Sequence, residues 1–162
     1  MILKNIAGED YNINNCLGCA IANGEAIPFG NILYKDEFFH IEQDFEVPIN
    51  GFIIISCNKH YSKLTDLPLE AQHKLISLVN KIINILTKHN IAEHFTTLIE
   101  ERPNYHLHLW ILPRHNWMIE KFGNASNHYA EISKYAINNL KTKENLNEIL
   151  KTCNIIKSEL NK

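Results

Sequence analysis

Asn104-Tyr105-His106-Leu107-His108-Leu109-Trp110-Ile111-Leu112-Pro113-Arg114 alternates aliphatic residues with histidine and tryptophan. Strand side chains point to opposite faces in turn. The pattern therefore predicts a strand over Tyr105 to Leu112, with Leu107, Leu109 and Ile111 in a core and His106, His108 and Trp110 sharing the other face. Imidazole serves both as a metal ligand and as a nucleophile near neutral pH. Two rings fixed side by side can divide those tasks.

The neighbouring segments supply a sheet for this strand. Phe95 to Glu100 reads as its hairpin partner, with Arg102-Pro103-Asn104 as the turn. Ile32-Leu33-Tyr34 and Phe38-Phe39-His40-Ile41 read as two short strands, and Phe52 to Cys57 after Gly51 as a central strand covered on both faces. Asp66 and Pro68 open a helix. Its apolar positions Ala71, Leu75, Leu78, Val79, Ile82, Ile83 and Leu86 recur at helical spacing, and Asn90 is its stop. From about Asn127 the tail reads as two further helices. The expected fold class is α+β: an antiparallel sheet, one long helix and additional C-terminal helices. We read residues 1–162 as a single domain with a core at about 16–114 and a C-terminal helical extension at about 120–162.

The formal charge of −2 speaks against an extended nucleic-acid surface while leaving room for a small anionic ligand. No apolar run is long enough to span a bilayer, and the first residues lack a secretory pattern, so the expected location is the cytoplasm. Of the nine histidines, His40, His73, His89, His94 and His128 sit among polar or helical neighbours and are expected at the surface.

Cys16-Leu17-Gly18-Cys19 has the spacing of a zinc knuckle, with Gly18 expected to turn the chain so that both sulfurs face one point. The pair alone fits two readings, half a zinc site or two partly buried thiols. His60 and His106 are the ligands that would complete a Cys2His2 set if their strands are neighbours. Cys57, inside an apolar strand, is the rival ligand, but reads better as a small hydrophobe.

These segments together resemble the histidine-triad (HIT) superfamily of nucleotide hydrolases and transferases. Its motif, His-φ-His-φ-His-φ-φ, is matched by His106-Leu107-His108-Leu109-Trp110-Ile111-Leu112. Upstream, Cys16 to Glu25 is similar to the family's Cys-x2-Cys opening, and Gly51 to His60 to its Gly-His-Val-Leu-Val-Ile-Pro-Lys-x-His strand. Lys63 to Leu67 resembles its lead-in to the long helix. The resemblance covers about Cys16 to Arg114 and implies a HIT-like fold. It implies structural zinc held by Cys16, Cys19, His60 and His106, with His108 as the catalytic nucleophile toward the α-phosphate of a nucleotide or dinucleotide substrate. It also implies Asp44 as the ribose contact and a homodimer. The base is expected among Phe39, Ile41 and Phe45.

Two departures qualify the match. Trp110 replaces the third histidine, and indole offers one N–H donor and no proton to give at neutral pH. The expected substrates are accordingly phosphoanhydrides, whose leaving groups need no protonation. The family's Gly-rich, Gln-containing loop is replaced by Glu100 to Asn104, so Arg102, Asn104, Arg114 and Trp110 become the candidate phosphate contacts, with Lys121 a further one. Trp117 and Met118 suit core packing better than a lid over the site. Loss of the triad leaves open a non-catalytic or regulatory nucleotide-binding module; a third reading is a zinc-ribbon-like interaction protein.

Overall fold

The structure, a computed structural model, describes residues 1–14, 16–124 and 128–162. Five strands make an antiparallel sheet in the order β3 (Tyr34–Lys35), β4 (Phe39–Gln43), β5 (Ile53–Cys57), β7 (His108–Pro113) and β6 (Phe95–Ile99). β5 is central and every one of its residues is buried, as its continuous apolar run predicts. Its register against β7 sets Ile55 beside Leu109, Ile54 beside Trp110 and Ser56 beside His108.

Helix α2 (Leu69–Lys88) covers one face of the sheet. Its buried stripe, Ala71, Leu75, Leu78, Ile82, Ile85 and Leu86, meets Ile53, Ile55, Leu107, Leu109 and Ile111. Pro68 stands at its N-cap, where a missing N–H costs nothing. Asn90, at φ +56°, turns the chain away just beyond its end.

The other face carries the cavity described below, beside the short helix α1 (Leu17–Ala22), and is covered further along by two helices after β7. These are α3 (Asn116–Phe122) and α4 (Tyr129–Asn139), and they bury Met118, Ile132 and Ala136 against Phe52, Ile54 and Leu112. Met118 is core, and Trp117 packs against the same cluster. The last helix, α5 (Lys143–Leu160), crosses to α2 and sets Ile149, Cys153 and Ile156 into the main core. Among the described residues three α-helices therefore follow the sheet where the pattern suggested two. Seven-residue α3 is too short to display a helical period. The expected start of the tail at Asn127 lies outside the described residues. An N-terminal hairpin, β1 (Ile2–Lys4) with β2 (Asp10–Asn12), also escaped the sequence reading; its three-residue strands lie below the length at which alternation is legible.

Two expectations about faces need correction. Phe39 and Ile41 point into the core beneath α2, so they are turned away from the cavity. His40, expected at the surface, is fully buried on the opposite side of the same strand. Both follow from alternation along β4: once Ile41 is a core residue, His40 and Glu42 must share the other face. No helix among the described residues is long and apolar enough to cross a membrane.

Candidate active site and metal centre

Cys16, Cys19, His60 and His106 bring their donor atoms within 4.8 Å of one another. Three elements converge to do this. Cys16 caps the N-terminus of α1, its sulfur taking the Cys19 N–H at 3.4 Å, and Cys19 lies one turn inside. His60 follows β5 and His106 precedes β7, and those strands are neighbours. His106 donates from Nε2 to the Cys57 carbonyl at 2.7 Å. Its Nδ1 is thereby left facing the sulfurs, 3.3 Å from Cys16 and 3.5 Å from Cys19. His60 Nδ1 stands 3.5 Å from the Cys19 sulfur.

Tetrahedral zinc with ordinary Zn–N and Zn–S bonds separates N from S by roughly 3.5 Å, so the donor set fits that ion. The chemistry agrees. Burial, with Cys16 beside it, pushes the Cys19 thiol up to about 11, an environment that a bound dication reverses by coordinating thiolate. The Cys57 carbonyl that fixes His106 is the outer hydrogen bond such ligands ordinarily have. This is a structural zinc site with a full complement of protein ligands. Cys57 itself is packed in the core, where burial pushes its thiol up to about 12.

Gly18 has a different duty from the turn expected of it. It lies inside α1, and a Cβ there would stand 2.7 Å from the His106 ring. The glycine permits close approach of helix and imidazole.

Beside the metal site opens a cavity of about 460 Å³. Leu17, Gly18 and Ile21 of α1 form one wall, Glu42, Asp44, Phe45 and Val47 another, and Ile54 and Ser56 the floor. His106, His108, Trp110, Asn104, Tyr105 and Tyr129 complete it. His108 donates from Nδ1 to the His106 carbonyl at 2.7 Å, which leaves Nε2 with its lone pair. Burial lowers both imidazoles below the ordinary histidine value. Trp110 lies nearly parallel to His108, centroids 6.0 Å apart, and is backed by Tyr129 at 4.5 Å and by Phe52.

Asp44 takes the Glu46 and Val47 N–H groups on one oxygen at 3.0 and 2.8 Å, and burial lifts its carboxyl to about 6. Asn104 reaches the cavity in a left-handed turn conformation, at φ +59°. The arginines and Lys121 do not reach it. Arg102 pairs with Glu100 at 2.6 Å and lies over the Tyr105 ring. Arg114 sits past the far end of β7, roughly 20 Å along the strand from His108, and holds Asn124. Lys121 stands over Tyr135. Among the described residues, no lysine or arginine lines the cavity.

Sequence reasoning missed Tyr129, Glu42 and Ser56 as lining residues. Tyr129 has no local signal, because α4 reaches the cavity only through the tertiary fold. The other two had one: a glutamate inside Phe39–Gln43 and a serine inside Ile53–Cys57 are polar interruptions of buried strands.

No family model matches the chain. An uncharacterised HIT-like protein of Methanocaldococcus jannaschii is 29% identical over 119 residues, covering 69% of this chain and 90% of that one. A zinc-bound histidine-triad family protein of Mycobacterium smegmatis superposes with a TM-score of 0.61 at 20% identity, over 90% of this chain and 93% of its own. In sequence and in fold the chain is similar to histidine-triad proteins. A hypothetical histidine-triad nucleotide-binding protein of Sulfolobus tokodaii shares this HIT fold with a TM-score of 0.58 at 20% identity, over 90% and 92% of the two chains. β7 and the residues before it carry the segment His106-Leu107-His108-Leu109-Trp110 that resembles the HIT motif.

Proposed function

We propose that this HIT-like protein binds a nucleotide in the cavity and acts as a hydrolase or nucleotidyltransferase through a covalent nucleotidyl-histidine at His108. The observation that carries the reading is the 2.7 Å bond from His108 Nδ1 to the His106 carbonyl, which leaves the Nε2 lone pair of this cavity-lining ring free. The Nε2 lone pair attacks the α-phosphorus, and the bond to the leaving oxygen breaks with its electron pair. Water or a second phosphate then attacks phosphorus and releases the ring nitrogen. Asp44 accepts from the ribose hydroxyls, and Asn104 and the Trp110 N–H contact phosphate oxygens. The apolar side chains of Leu17, Ile21, Phe45 and Ile54 take the base. Zinc, when bound, ties α1 to the sheet through Cys16, Cys19, His60 and His106, and its role is structural.

The test is to incubate the protein with an α-labelled dinucleoside polyphosphate and quench into base. A base-stable, acid-labile adduct is expected on wild type and none on His108→Ala. One observation favours a second reading, a binding module without turnover: Trp110 packs at the position of the proton-donating third histidine. Nucleotide binding that leaves no adduct selects that module. The reading includes a homodimer, supported by the open edge of β6 and by exposed Leu69 and Ile76 on α2, and checked by sedimentation. It also includes a reducing, cytoplasmic setting, in keeping with four free cysteines.

A further inference from the structure

Beneath the cavity, His40, Glu42 and Ser56 form a buried polar cluster that the phosphate chemistry does not use. The hydrogens of this cluster can be placed from their partners. Asn58 Nδ2 donates to the Asp36 carbonyl at 2.7 Å, which turns Asn58 Oδ1 to His40 Nδ1, 3.1 Å away. An amide oxygen only accepts, so His40 Nδ1 carries a hydrogen. In the neutral ring Nε2 is then bare, and it faces Glu42 Oε2 at 3.7 Å. Among the described residues neither atom has a hydrogen-bond partner. Two bare acceptors facing each other in a buried site repel, so one proton lies between them, on Glu42 Oε2 or on His40 Nε2. In both arrangements Glu42 Oε1 remains an acceptor, and it takes the Ser56 hydroxyl hydrogen at 2.8 Å. Ser56 has only that one hydrogen. What its oxygen offers the cavity is lone pairs.

The surroundings say what meets those lone pairs. Leu17, Ile21 and Ile54 line the same cavity as Ser56 and suit the flat faces of a base. A polar group set in an apolar floor meets such a ring at its edge. The sequence strengthens the point, because Ser56 and Asn58 stand where the resembling family strand has Ile and Lys.

We propose that Ser56, held as an acceptor by Glu42 and His40, is a specificity-determining residue that selects nucleotides whose base carries an exocyclic amino group. The inference rests on the nucleotide reading of the cavity and names the substrate class within it. An oxo group at the same place sets oxygen against oxygen, and a site built to pair with an N–H rejects the analogue lacking it.

The experiment is calorimetric titration of the zinc-loaded full chain with AMP, IMP, CMP and UMP. Wild type is expected to favour the amino member of at least one pair, AMP over IMP or CMP over UMP, by at least about tenfold. In Glu42→Gln the amide oxygen still accepts from Ser56 and the amide N–H donates to His40, so the preference is retained. In Glu42→Leu the serine is free to rotate and donate, and in Ser56→Ala the acceptor is gone. Both are expected to bring the pair within about twofold. A purely structural glutamate would lower all four affinities together and leave their ratios alone. Should Glu42→Leu fail to fold, Ser56→Ala and Glu42→Gln carry the comparison. Equal binding of both members by wild type, or an unchanged preference in Ser56→Ala, overturns the inference while the nucleotide reading stands. Absence of binding by all four nucleotides overturns both.

Discussion

His106 works twice at the residue scale. Its ring faces the cysteines while its carbonyl orients His108, so two nearby residues of one segment connect the metal site to the proposed nucleophile. Gly18 is where this arrangement is tightest. Gly18→Ala is expected to push the His106 ring aside, at a cost of about 1–3 kcal/mol, and to lower zinc content; denaturant unfolding and metal analysis read the two effects. Asp44 gives a pH signature. Its folded value of about 6 is above its unfolded one. Its contribution to stability is therefore complete below the unfolded value and lost as pH rises through about 6. Asp44→Asn keeps an oxygen for the Glu46 and Val47 N–H groups without the charge, so the variant should gain on wild type at pH 7 and lose that advantage near pH 4. Unfolding at the two pH values measures it. Trp110→His introduces a protonatable group beside His108. If the nucleotidyl-histidine chemistry holds, the variant should accelerate release of amine leaving groups by about 10² or more and phosphoanhydride turnover far less, as rates on matched substrates will show.

The elements differ in how openly the sequence announced them. α2 was legible almost residue by residue, because a helix against a sheet must repeat its apolar stripe. Ile82, fully buried on that stripe, is expected to cost about 2–5 kcal/mol when cut to alanine, and exposed Ile76 within about 0.5 kcal/mol; chemical denaturation compares them. The strands β5, β6 and β7 were legible too, and with them the meeting of His60 and His106. β4 was harder. Phe38, Phe39, His40 and Ile41 give two overlapping alternations, and the expectation of the base beside Phe39 and Ile41 with His40 at the surface did not choose between them. Only the cross-strand pairing of His40 with Ser56, and of Ser56 with His108, decides the face. Arg102 and Arg114 failed as cavity residues for different reasons: Arg102 is held by Glu100, whereas Arg114 stands past the far end of β7. Charge near a motif in sequence says little when a strand carries its two ends far apart.

Across the whole molecule, the helices that follow the motif strand close the fold. α5 places Ile149, Cys153 and Ile156, all fully buried, in the same core as α2 and the sheet. A chain ending after Leu140 is expected to expose that core and lose cooperative thermal unfolding, which calorimetry checks. Nothing local in the sequence could foretell this, since an amphipathic stripe shows that a helix is covered and leaves open by what. α4 in turn lends Tyr129 to the cavity wall, where it backs Trp110. Indole fluorescence responds to its surroundings, and this one lies between a histidine open to solutes and a ring borrowed from the tail. The second indole, Trp117, is occupied with Tyr135 between α3 and α4. Replacing Trp117 by phenylalanine leaves a single emitter, and the molecule then carries its own optical gauge of occupancy and of tail docking, with no dye attached.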